Sequence, residues 1–183
     1  MTSSPVWVIS GPSAVGKGTV CARLRTLHPE PFYSVSMTTR RARPGEVEGK
    51  SYHFVSIDEF RDLIANGELL EYAEVHGNYY GTPRRPVLAA VAEGRPVILE
   101  IDLQGARQVK KNLPEARLVF LSPPSWDELV SRLRGRGTED DESMARRLAT
   151  AKVELAQVGE ADHEIVNVSI DETVDALVSL MGL

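Results

Sequence analysis

Apolar residues recur in short runs along the chain, and stretches with helical spacing follow them. The run PVWVIS, residues 5 to 10, lies before VCARLRTLH, where apolar positions 20, 21, 24 and 27 share one helix face. The run PVILEID, residues 96 to 102, is too continuous for a strand with one solvated face, and RLVFLS predicts a further strand. This rhythm predicts an α/β fold with a parallel sheet flanked by helices.

Helix boundaries are marked by capping sequences. Ser56 to Glu59 and Ser125 to Glu128 have the capping-box spacing, and Gly67 ends the first of these helices. Thr82 and Pro83 begin another helix, and a further one is expected near residues 104 to 112. The strand HEIVNV and an amphipathic helix close the chain.

Two segments interrupt the α/β rhythm. Residues 32 to 82 are rich in Arg, Glu and Tyr, and ELLEYAEVHGNYYGT predicts two short strands around Gly77 and Asn78. This predicts an inserted, mostly β segment. The stretch RLRGRGTEDDESMARRL is a charged, glycine-punctuated turn, and the helix after it carries Met144, Leu148, Ala151 and Leu155 on one face.

Composition indicates an ordinary globular protein. The chain has 183 residues, 42% hydrophobic and 26% charged, which suits one domain with a sizeable core. A formal charge of −5 argues against sequence-independent binding of nucleic acid. No stretch approaches the ~20 apolar residues of a membrane span. The single Cys21, which we interpret as a small buried hydrophobe, and the lack of a leader favour a cytoplasmic protein.

The stretch GPSAVGKGT, residues 11 to 19, has the features of a phosphate-binding loop. A glycine-rich turn between a strand and a helix aims several backbone N–H groups at one point, where the helix dipole adds to them. Gly11 and Gly16 permit close approach, and Lys17 supplies a cation for the outer phosphates of a nucleoside triphosphate. The usual pattern puts Ser or Thr directly after the Lys, but here Gly18 comes first and Thr19 follows.

Carboxylates follow the central strand. Asp102 ends PVILEID, at the sheet edge where ligands bind in open parallel sheets, and Glu100 points to the same face. Such oxygens suit Mg²⁺, directly or through water. Taken alone, a capping Asp in a loop is an equally good interpretation of this stretch.

Two arginine clusters complete the candidate chemistry. Arg40, Arg41 and Arg43 lie within four positions, and Tyr52, Tyr79 and Tyr80 follow downstream. Guanidinium groups and phenol hydroxyls are the donors that hold a phosphate dianion. The second cluster comprises RLRGRG with Arg146 and Arg147, on a segment that could close over a transferring phosphoryl group. Read alone, each cluster could also be a solvated face. The four His residues lack metal-ligand spacing and are interpreted as structural.

Five motifs in order resemble the guanylate kinase family along essentially the whole chain: GPSAVGK, SVSMTTRRARPGEVEGKSYHF, LLEYAEVHGNYYGT, ILEIDLQG and RLRGRGTEDDESMARRLATAKVEL. The resemblance implies a P-loop core (4–33, 83–125 and 157–183), a GMP-binding insertion (34–82) and a helical lid (126–156). It also implies Mg²⁺-dependent transfer of the γ-phosphoryl group of ATP to GMP, or to dGMP, giving the diphosphate and ADP.

The same resemblance implies residue roles. ATP contacts fall on the loop residues Gly11, Pro12, Ser13, Ala14, Val15, Gly16, Lys17, Gly18 and Thr19, with Arg132, Arg136 and Arg147 around the phosphates and Asn167 near the adenine. GMP contacts fall on Ser36, Glu71 and Thr82 for the base, on Arg40, Arg43, Tyr52 and Tyr80 for the phosphate, and on Glu100 and Asp102. The catalytic group is expected to comprise Lys17, Arg40, Arg43, Asp102, Arg136 and Arg147. We expect Thr19 and Asp102 to serve the metal, Asp102 through water.

Hydrogen bonding explains the expected base preference. Guanine offers two adjacent donors that one carboxylate, Glu71, can accept together, whereas adenine lacks that pair. Two alternatives are a guanylate-kinase-like module that binds proteins without catalysis, and a kinase acting on another phosphorylated acceptor. The retained Gly11, Gly16 and Lys17 argue against the first alternative, and Glu71 with Ser36 argues against the second.

Overall fold

The structure is a computed structural model that describes residues 6–75, 77–135 and 141–183. Three of the sequence predictions concern residues outside that part of the chain. They are the phosphate-binding role of Arg136, the structural role of His76, and part of the charged, glycine-punctuated turn, namely residues 136–140.

Strands and helices alternate as the hydrophobic pattern predicts. The strands are β1 (Val6–Ser10), β2 (Phe32–Tyr33), β3 (Met37–Thr38), β4 (His53–Phe54), β5 (Leu69–Val75), β6 (Asn78–Pro83), β7 (Val97–Glu100), β8 (Arg117–Ser122) and β9 (His163–Val166). The helices are α1 (Lys17–Leu27), α2 (Ile57–Ala65), α3 (Arg84–Ala92), α4 (Leu103–Asn112), α5 (Trp126–Arg134), α6 (Asp141–Leu155) and α7 (Ile170–Met181), and a short 3₁₀ turn spans Val158–Glu160.

The larger sheet is parallel, with the hydrogen-bonded strand order β2-β7-β1-β8-β9. Val8 in β1 pairs with Leu118 in β8, and Val119 in β8 pairs with His163 in β9. Every residue of β1 is buried, as expected for a strand covered on both faces. The predicted α/β fold with a parallel sheet is confirmed.

The inserted segment forms a second sheet, with strand order β4-β3-β6-β5. Strands β5 and β6 are antiparallel and meet at the predicted turn, since Val75 pairs with Asn78. An irregularity between Leu69 and Glu71 adjusts the register, so that Glu71 lies opposite Thr82. The prediction of a mostly β segment is confirmed.

Helix α2 begins with the predicted capping box. The Glu59 backbone N–H donates to Ser56 Oγ (3.2 Å), and the Ser56 backbone N–H donates to Glu59 Oε2 (2.7 Å). Gly67, two residues beyond the helix, has φ +66°, the left-handed conformation that favours glycine after a helix end. Both predicted boundaries of this helix are confirmed.

The chain divides into two compact units, which we describe separately. The first unit contains Glu30–Leu99 and Gln104–Ala116, and the second contains Trp7–Pro29, Glu100–Leu103 and Arg117–Leu183. The phosphate loop and both acidic candidates therefore belong to the second unit, and the residues expected to bind GMP through its base and phosphate belong to the first.

Helices α5 and α6 pack on each other within the second unit. Leu129, Leu133 and Ala151 are buried, and Met144, Leu148 and Leu155 pack against them together with Trp126 and Ala14. The apolar face predicted for α6 is confirmed. Because Ala14 belongs to the phosphate loop, this cluster holds α6 against the loop. Within the described residues, no helix combines the length and the apolar character that crossing a membrane requires.

Candidate functional site

The loop between β1 and α1 has a backbone shape that side chains rarely allow. Gly11, Ala14 and Gly16 all have positive φ, at +147°, +66° and +103°. A Cβ at Gly11 would fall on the Leu121 carbonyl oxygen, and one at Gly16 would lie 2.8 Å from Asn167 Nδ2. Both positions therefore require glycine for conformation and for space. Helix α1 starts at Lys17 without a side-chain cap, which suits its first N–H groups to an anion.

The ammonium group of Lys17 folds back over the loop. Its Nζ donates to the carbonyl oxygen of Gly11 and to that of Pro12 (3.3 Å). Burial lowers the pKa of Lys17, and the negative charges of Glu154, Glu100 and Asp102 oppose that shift. The cation expected at the loop is thus present and surrounded by carboxylates.

Two of these carboxylates hold their protons more tightly than usual. Glu100 is exposed as a residue, but its carboxylate faces Lys17 and Cys21, and desolvation raises its pKa against the pull of Lys17. Desolvation likewise raises the pKa of Glu154 on α6, whose carboxylate accepts the Ser13 backbone N–H. Cys21 is buried, as predicted, and burial raises the pKa of its thiol well above the ordinary value.

Two of the three arginines expected around the ATP phosphates reach the phosphate loop. Arg147 Nη2 donates to Ser13 Oγ (2.8 Å), and Arg132 Nη1 donates to the Val15 carbonyl oxygen (3.2 Å). Asn167, expected near the adenine, donates from Nδ2 to the same carbonyl oxygen (2.7 Å). Arg146 instead pairs with Glu142 (2.6 Å) on the exposed side of α6.

The oxygen groups expected to serve Mg²⁺ lie at the same end of the second unit. Thr19 is exposed in the first turn of α1, Asp102 is half-buried just after β7, and the Asp102 charge acts on Lys17. A Cβ on Gly18 would lie 3.5 Å from Glu100 Oε1, so Glu100 also faces this turn. Hydroxyl and carboxylate oxygens have the chemistry that Mg²⁺ prefers. Among the described residues, no group of three or more His, Cys, Asp and Glu side chains could hold a metal ion.

In the first unit, Glu71 and Thr82 form a buried polar pair. Thr82 Oγ1 donates to Glu71 Oε1 over 2.6 Å. Thr82 is 0% exposed and Glu71 is 4% exposed. The cross-strand register of β5 and β6 places them opposite each other. A carboxylate held this way presents an acceptor of fixed orientation to a ligand.

The guanidinium group of Arg40 is fixed by Glu46. Arg40 Nη2 and Nη1 donate to Glu46 Oε1 and Oε2 over 2.8 and 3.0 Å, and the Arg43 backbone N–H donates to Glu46 Oε2 (2.7 Å). The hydrogen bonds from the Arg40 side chain lower the pKa of Glu46 most, and the bond from the Arg43 backbone lowers it further. Bonding to Glu46 likewise raises the pKa of Arg40 above its usual value.

Aromatic side chains adjoin this ion pair. The Arg40 guanidinium lies 5.4 Å from the ring centroid of Tyr52, whose ring contacts that of Tyr80 edge-on. Tyr79 instead stacks on Phe60, with centroids 5.3 Å apart, so it has a packing role. The structure therefore brings Arg40, Tyr52 and Tyr80 together.

Two further candidates of the first unit are Ser36 and Arg43. Ser36 is half-buried between β2 and β3, and its carbonyl oxygen accepts the His53 N–H over 2.9 Å. The Arg43 side chain is exposed.

Sequence reasoning missed Glu46 and Glu154, which contact candidate residues of these sites, and Thr173, whose hydroxyl donates to Asn167 Oδ1 over 2.8 Å. Glu46 follows Arg43 within RPGE, where its spacing from the arginines could have identified it. Glu154 lies seven residues after Arg147 on α6, and that spacing places both on one helix face. Nothing in the local pattern marks Thr173, because its partner Asn167 lies before the N-cap of α7.

Comparison with known proteins covers nearly the whole chain. A family model described as Guanylate kinase matches residues 3–182. A protein of Streptomyces coelicolor named Guanylate kinase is 62% identical over 176 residues, which cover 96% of this chain and 89% of that protein. One of Corynebacterium jeikeium with the same name is 53% identical over 183 residues, covering 99% of this chain and 97% of the relative.

Solved structures give the same picture at the level of the fold. A crystal structure of guanylate kinase from Anaplasma phagocytophilum superposes with a TM-score of 0.80 at 37% identity, covering 97% of this chain and 84% of that one. A shikimate kinase from Bacteroides thetaiotaomicron, at 19% identity and a TM-score of 0.51, shares the fold alone; it covers 97% of this chain and 99% of that one.

Proposed function

The chain belongs to the guanylate kinase family, and we propose that it transfers the γ-phosphoryl group of ATP to GMP, giving ADP and GDP. The observation that carries this proposal is the phosphate loop. Its three residues with positive φ and the overlying Lys17 have the arrangement of an anion-binding site. A module that only bound proteins would have no use for that strained backbone or for its lysine.

The second unit supplies the donor half of the site. We assign the β- and γ-phosphates of ATP to the loop N–H groups and Lys17, because the helix N-terminus and the cation both favour negative charge there. Arg147 and Arg132 contact the loop. Their guanidinium groups would stabilise the negative charge that develops on the phosphoryl group during its transfer. Arg136 belongs to this assignment through the family alone.

We propose that Mg²⁺ accompanies the triphosphate. Thr19 and Asp102, the latter through water, would help to hold it, with Glu100 beside them. The bound ion would neutralise negative charge on the phosphate oxygens. Gly18 offers no hydroxyl, so the nucleotide phosphates themselves would be the main ligands.

The first unit supplies the acceptor half. Glu71 would accept the two adjacent donors of guanine, and the Thr82 hydroxyl fixes the orientation of that carboxylate. Ser36 would donate to the guanine carbonyl oxygen. Adenine lacks these two donors, so it would leave the buried Glu71 carboxylate without partners. The cost of that unpaired carboxylate explains a preference for guanine. Arg40, Arg43, Tyr52 and Tyr80 would bind the GMP phosphate.

The transfer itself needs no general base on the protein. An anionic phosphate oxygen of GMP forms the new bond to the γ-phosphorus, and the bond from that phosphorus to the bridging oxygen of ADP breaks. Repulsion between two polyanions is the obstacle, so cations and alignment provide the catalysis. We propose that the segment 126–156 closes over the nucleotide and excludes water, which would otherwise accept the phosphoryl group.

We place this reaction in the cytoplasm, without a nucleic-acid or membrane partner. The net charge of −5 disfavours binding to nucleic acid, and the single cysteine is buried as a thiol and needs no oxidising compartment.

An assay of ADP release with GMP, dGMP or AMP as acceptor tests the proposal. We expect turnover with GMP, and much lower kcat/KM with AMP. Lys17→Met is the control for contaminating kinases, since it removes the loop cation. A preparation that releases no ADP with GMP would overturn the kinase assignment, and equal turnover with GMP and AMP would overturn the assignment of guanine to Glu71.

A further inference from the structure

The Val15 carbonyl oxygen is held from outside the phosphate loop by two side chains. Asn167 Nδ2 donates to it over 2.7 Å, and Arg132 Nη1 donates over 3.2 Å. Arg132 is itself oriented by Glu128, which accepts its Nε–H (2.9 Å). Two donors with fixed positions leave this carbonyl little freedom to rotate.

A fixed carbonyl also fixes the next N–H group. In a trans peptide the N–H points away from the carbonyl of the same plane, and every described peptide bond is trans. The carbonyl of Val15 points outward to Asn167, so the Gly16 N–H points to the opposite, inner side of the loop. That is the side on which an anion would accept it, directly before helix α1.

Asn167 is in turn oriented by Thr173. Thr173 Oγ1 donates to Asn167 Oδ1 (2.8 Å), and the Asn167 backbone N–H donates to the Ser122 carbonyl oxygen (2.8 Å). Thr173 and Asn167 are 1% and 2% exposed. The Val15 carbonyl oxygen can only accept, so the NH₂ end of the amide faces it. The Thr173 hydroxyl donates to the oxygen at the other end and so holds the amide in that orientation.

We propose that Thr173 is a positioning residue for the phosphate loop: through Asn167 it holds the peptide between Val15 and Gly16 with its N–H toward the bound phosphate. This inference rests on the proposed function and adds a residue of α7 to the donor half. Without the Thr173 hydroxyl, either Asn167 Oδ1 loses its buried donor, or the amide turns over and sets its oxygen against the Val15 carbonyl. Either outcome weakens the hold of Asn167 on the Val15 carbonyl.

The test compares three variants in calorimetric titrations with ADP and Mg²⁺ and in steady-state kinetics. Thr173→Val keeps the shape and removes the hydroxyl, whereas Thr173→Ser keeps the hydroxyl. Val174→Ala is the stability control, because Val174 is the next residue of α7 and is also buried, at 1% exposure. Thr173→Ala replaces the valine variant if that variant is not recovered folded, since a smaller side chain avoids overpacking.

We expect Thr173→Val to weaken ADP binding roughly 5- to 30-fold and to raise KM for ATP similarly, the range that loss of one buried hydrogen-bond partner gives. KM for GMP should stay unchanged. Thr173→Ser should bind ADP as the wild type does, and Val174→Ala should lower the melting temperature without weakening ADP binding.

Equal ADP affinity in Thr173→Val and Val174→Ala would overturn the inference, because Thr173 would then act through stability alone. Weakened binding of GMP to the same degree as ADP would overturn it too. Failure of the proposed function is distinguishable, since the wild type would then not turn over GMP at all.

Discussion

At the scale of single residues, Lys17 has the most unusual surroundings. Glu100, Asp102 and Glu154 all act on its charge, while burial disfavours the ammonium form. The incoming phosphates of a nucleotide would favour that form strongly, so binding and protonation of Lys17 should be linked. Proton uptake on nucleotide binding therefore reports on Lys17 without a measurement of turnover.

We predict that ADP binding takes up a proton at alkaline pH. The pKa of Lys17 is lowered in the nucleotide-free protein and should rise in the complex, so uptake grows as pH rises through the lowered value, and affinity falls above it. Titrations in buffers of different ionisation enthalpy measure this uptake. Lys17→Arg, charged throughout this range, should remove it. Uptake that survives in the arginine variant would assign the proton elsewhere.

Replacement of Glu71 by Gln should abolish guanine discrimination. The amide cannot accept two adjacent donors together, so the ratio of kcat/KM for GMP to that for AMP should fall by about 10²-fold or more. Glu74→Gln, an exposed change on the same strand, is the matched control and should keep the ratio. A Glu71→Gln enzyme with wild-type preference would contradict our assignment of the base.

Gly18→Ser should change the Mg²⁺ requirement only slightly, by less than about 3-fold in the concentration for half-maximal activity. Glu100 Oε1 lies 3.5 Å from the position of the new Cβ, so the serine hydroxyl has a carboxylate to donate to. Gly18→Ala controls for loss of backbone freedom. A large tightening of the Mg²⁺ dependence in the serine variant alone would mean that the missing hydroxyl matters more than we infer.

At the scale of elements, the boundaries that follow local chemistry could be predicted and those that follow tertiary contacts could not. The caps at Ser56 and Ser125 both accept the backbone N–H three residues later, as their spacing predicts. The run 96–102 extends beyond its strand, which ends at Glu100, because nothing in its composition separates strand from the following turn. Ala14 illustrates the limit: no propensity predicts its positive φ.

Ser56→Ala should destabilise the protein by about 1 kcal/mol at neutral pH, because the first turn of α2 loses a cap. Urea unfolding measures the difference. Hydrogen bonds from the Ser56 backbone and hydroxyl lower the pKa of Glu59, so their contribution is present above its unfolded value of 4.5 and is lost as pH falls through the lowered value. The destabilisation should therefore shrink in acid. Ser131→Ala, an exposed serine inside α5 that caps no helix, is the control, and an equal loss of stability there would contradict the cap.

At the scale of the whole molecule, the two units divide the chemistry. The first unit contains Arg40 and Glu71, the carboxylate that we assign to guanine, and the second contains the loop and Lys17. Sequence reasoning predicted the loop from its glycine spacing, and the family resemblance pointed to the arginines and to Glu71. It missed Glu46 and Glu154, although their spacing from Arg43 and Arg147 could have marked them. It could not identify Thr173, because the contact of Asn167 with the loop forms only in the folded chain.

Hydrogen exchange should resolve this division. We predict that GMP alone slows exchange in β5 and β6, whereas ADP alone slows exchange in residues 11–19, since each ligand stabilises the groups that bind it. At about 100 times its Kd, a ligand adds roughly 2.7 kcal/mol of stability. Lys17→Met should lose the ADP effect and keep the GMP effect. Loss of both effects in that variant would contradict separate binding by the two units.

The close approach of Gly16 and Asn167 also has a consequence for sequence divergence. A side chain at position 16 would begin 2.8 Å from Asn167 Nδ2, and that amide is locked by hydrogen bonds at both ends. A side chain at position 16 would therefore displace Asn167 and, through it, the hydrogen bond to the Val15 carbonyl. Lineages of this family that keep Asn167 should keep glycine at position 16 for this reason in addition to the positive φ of the loop.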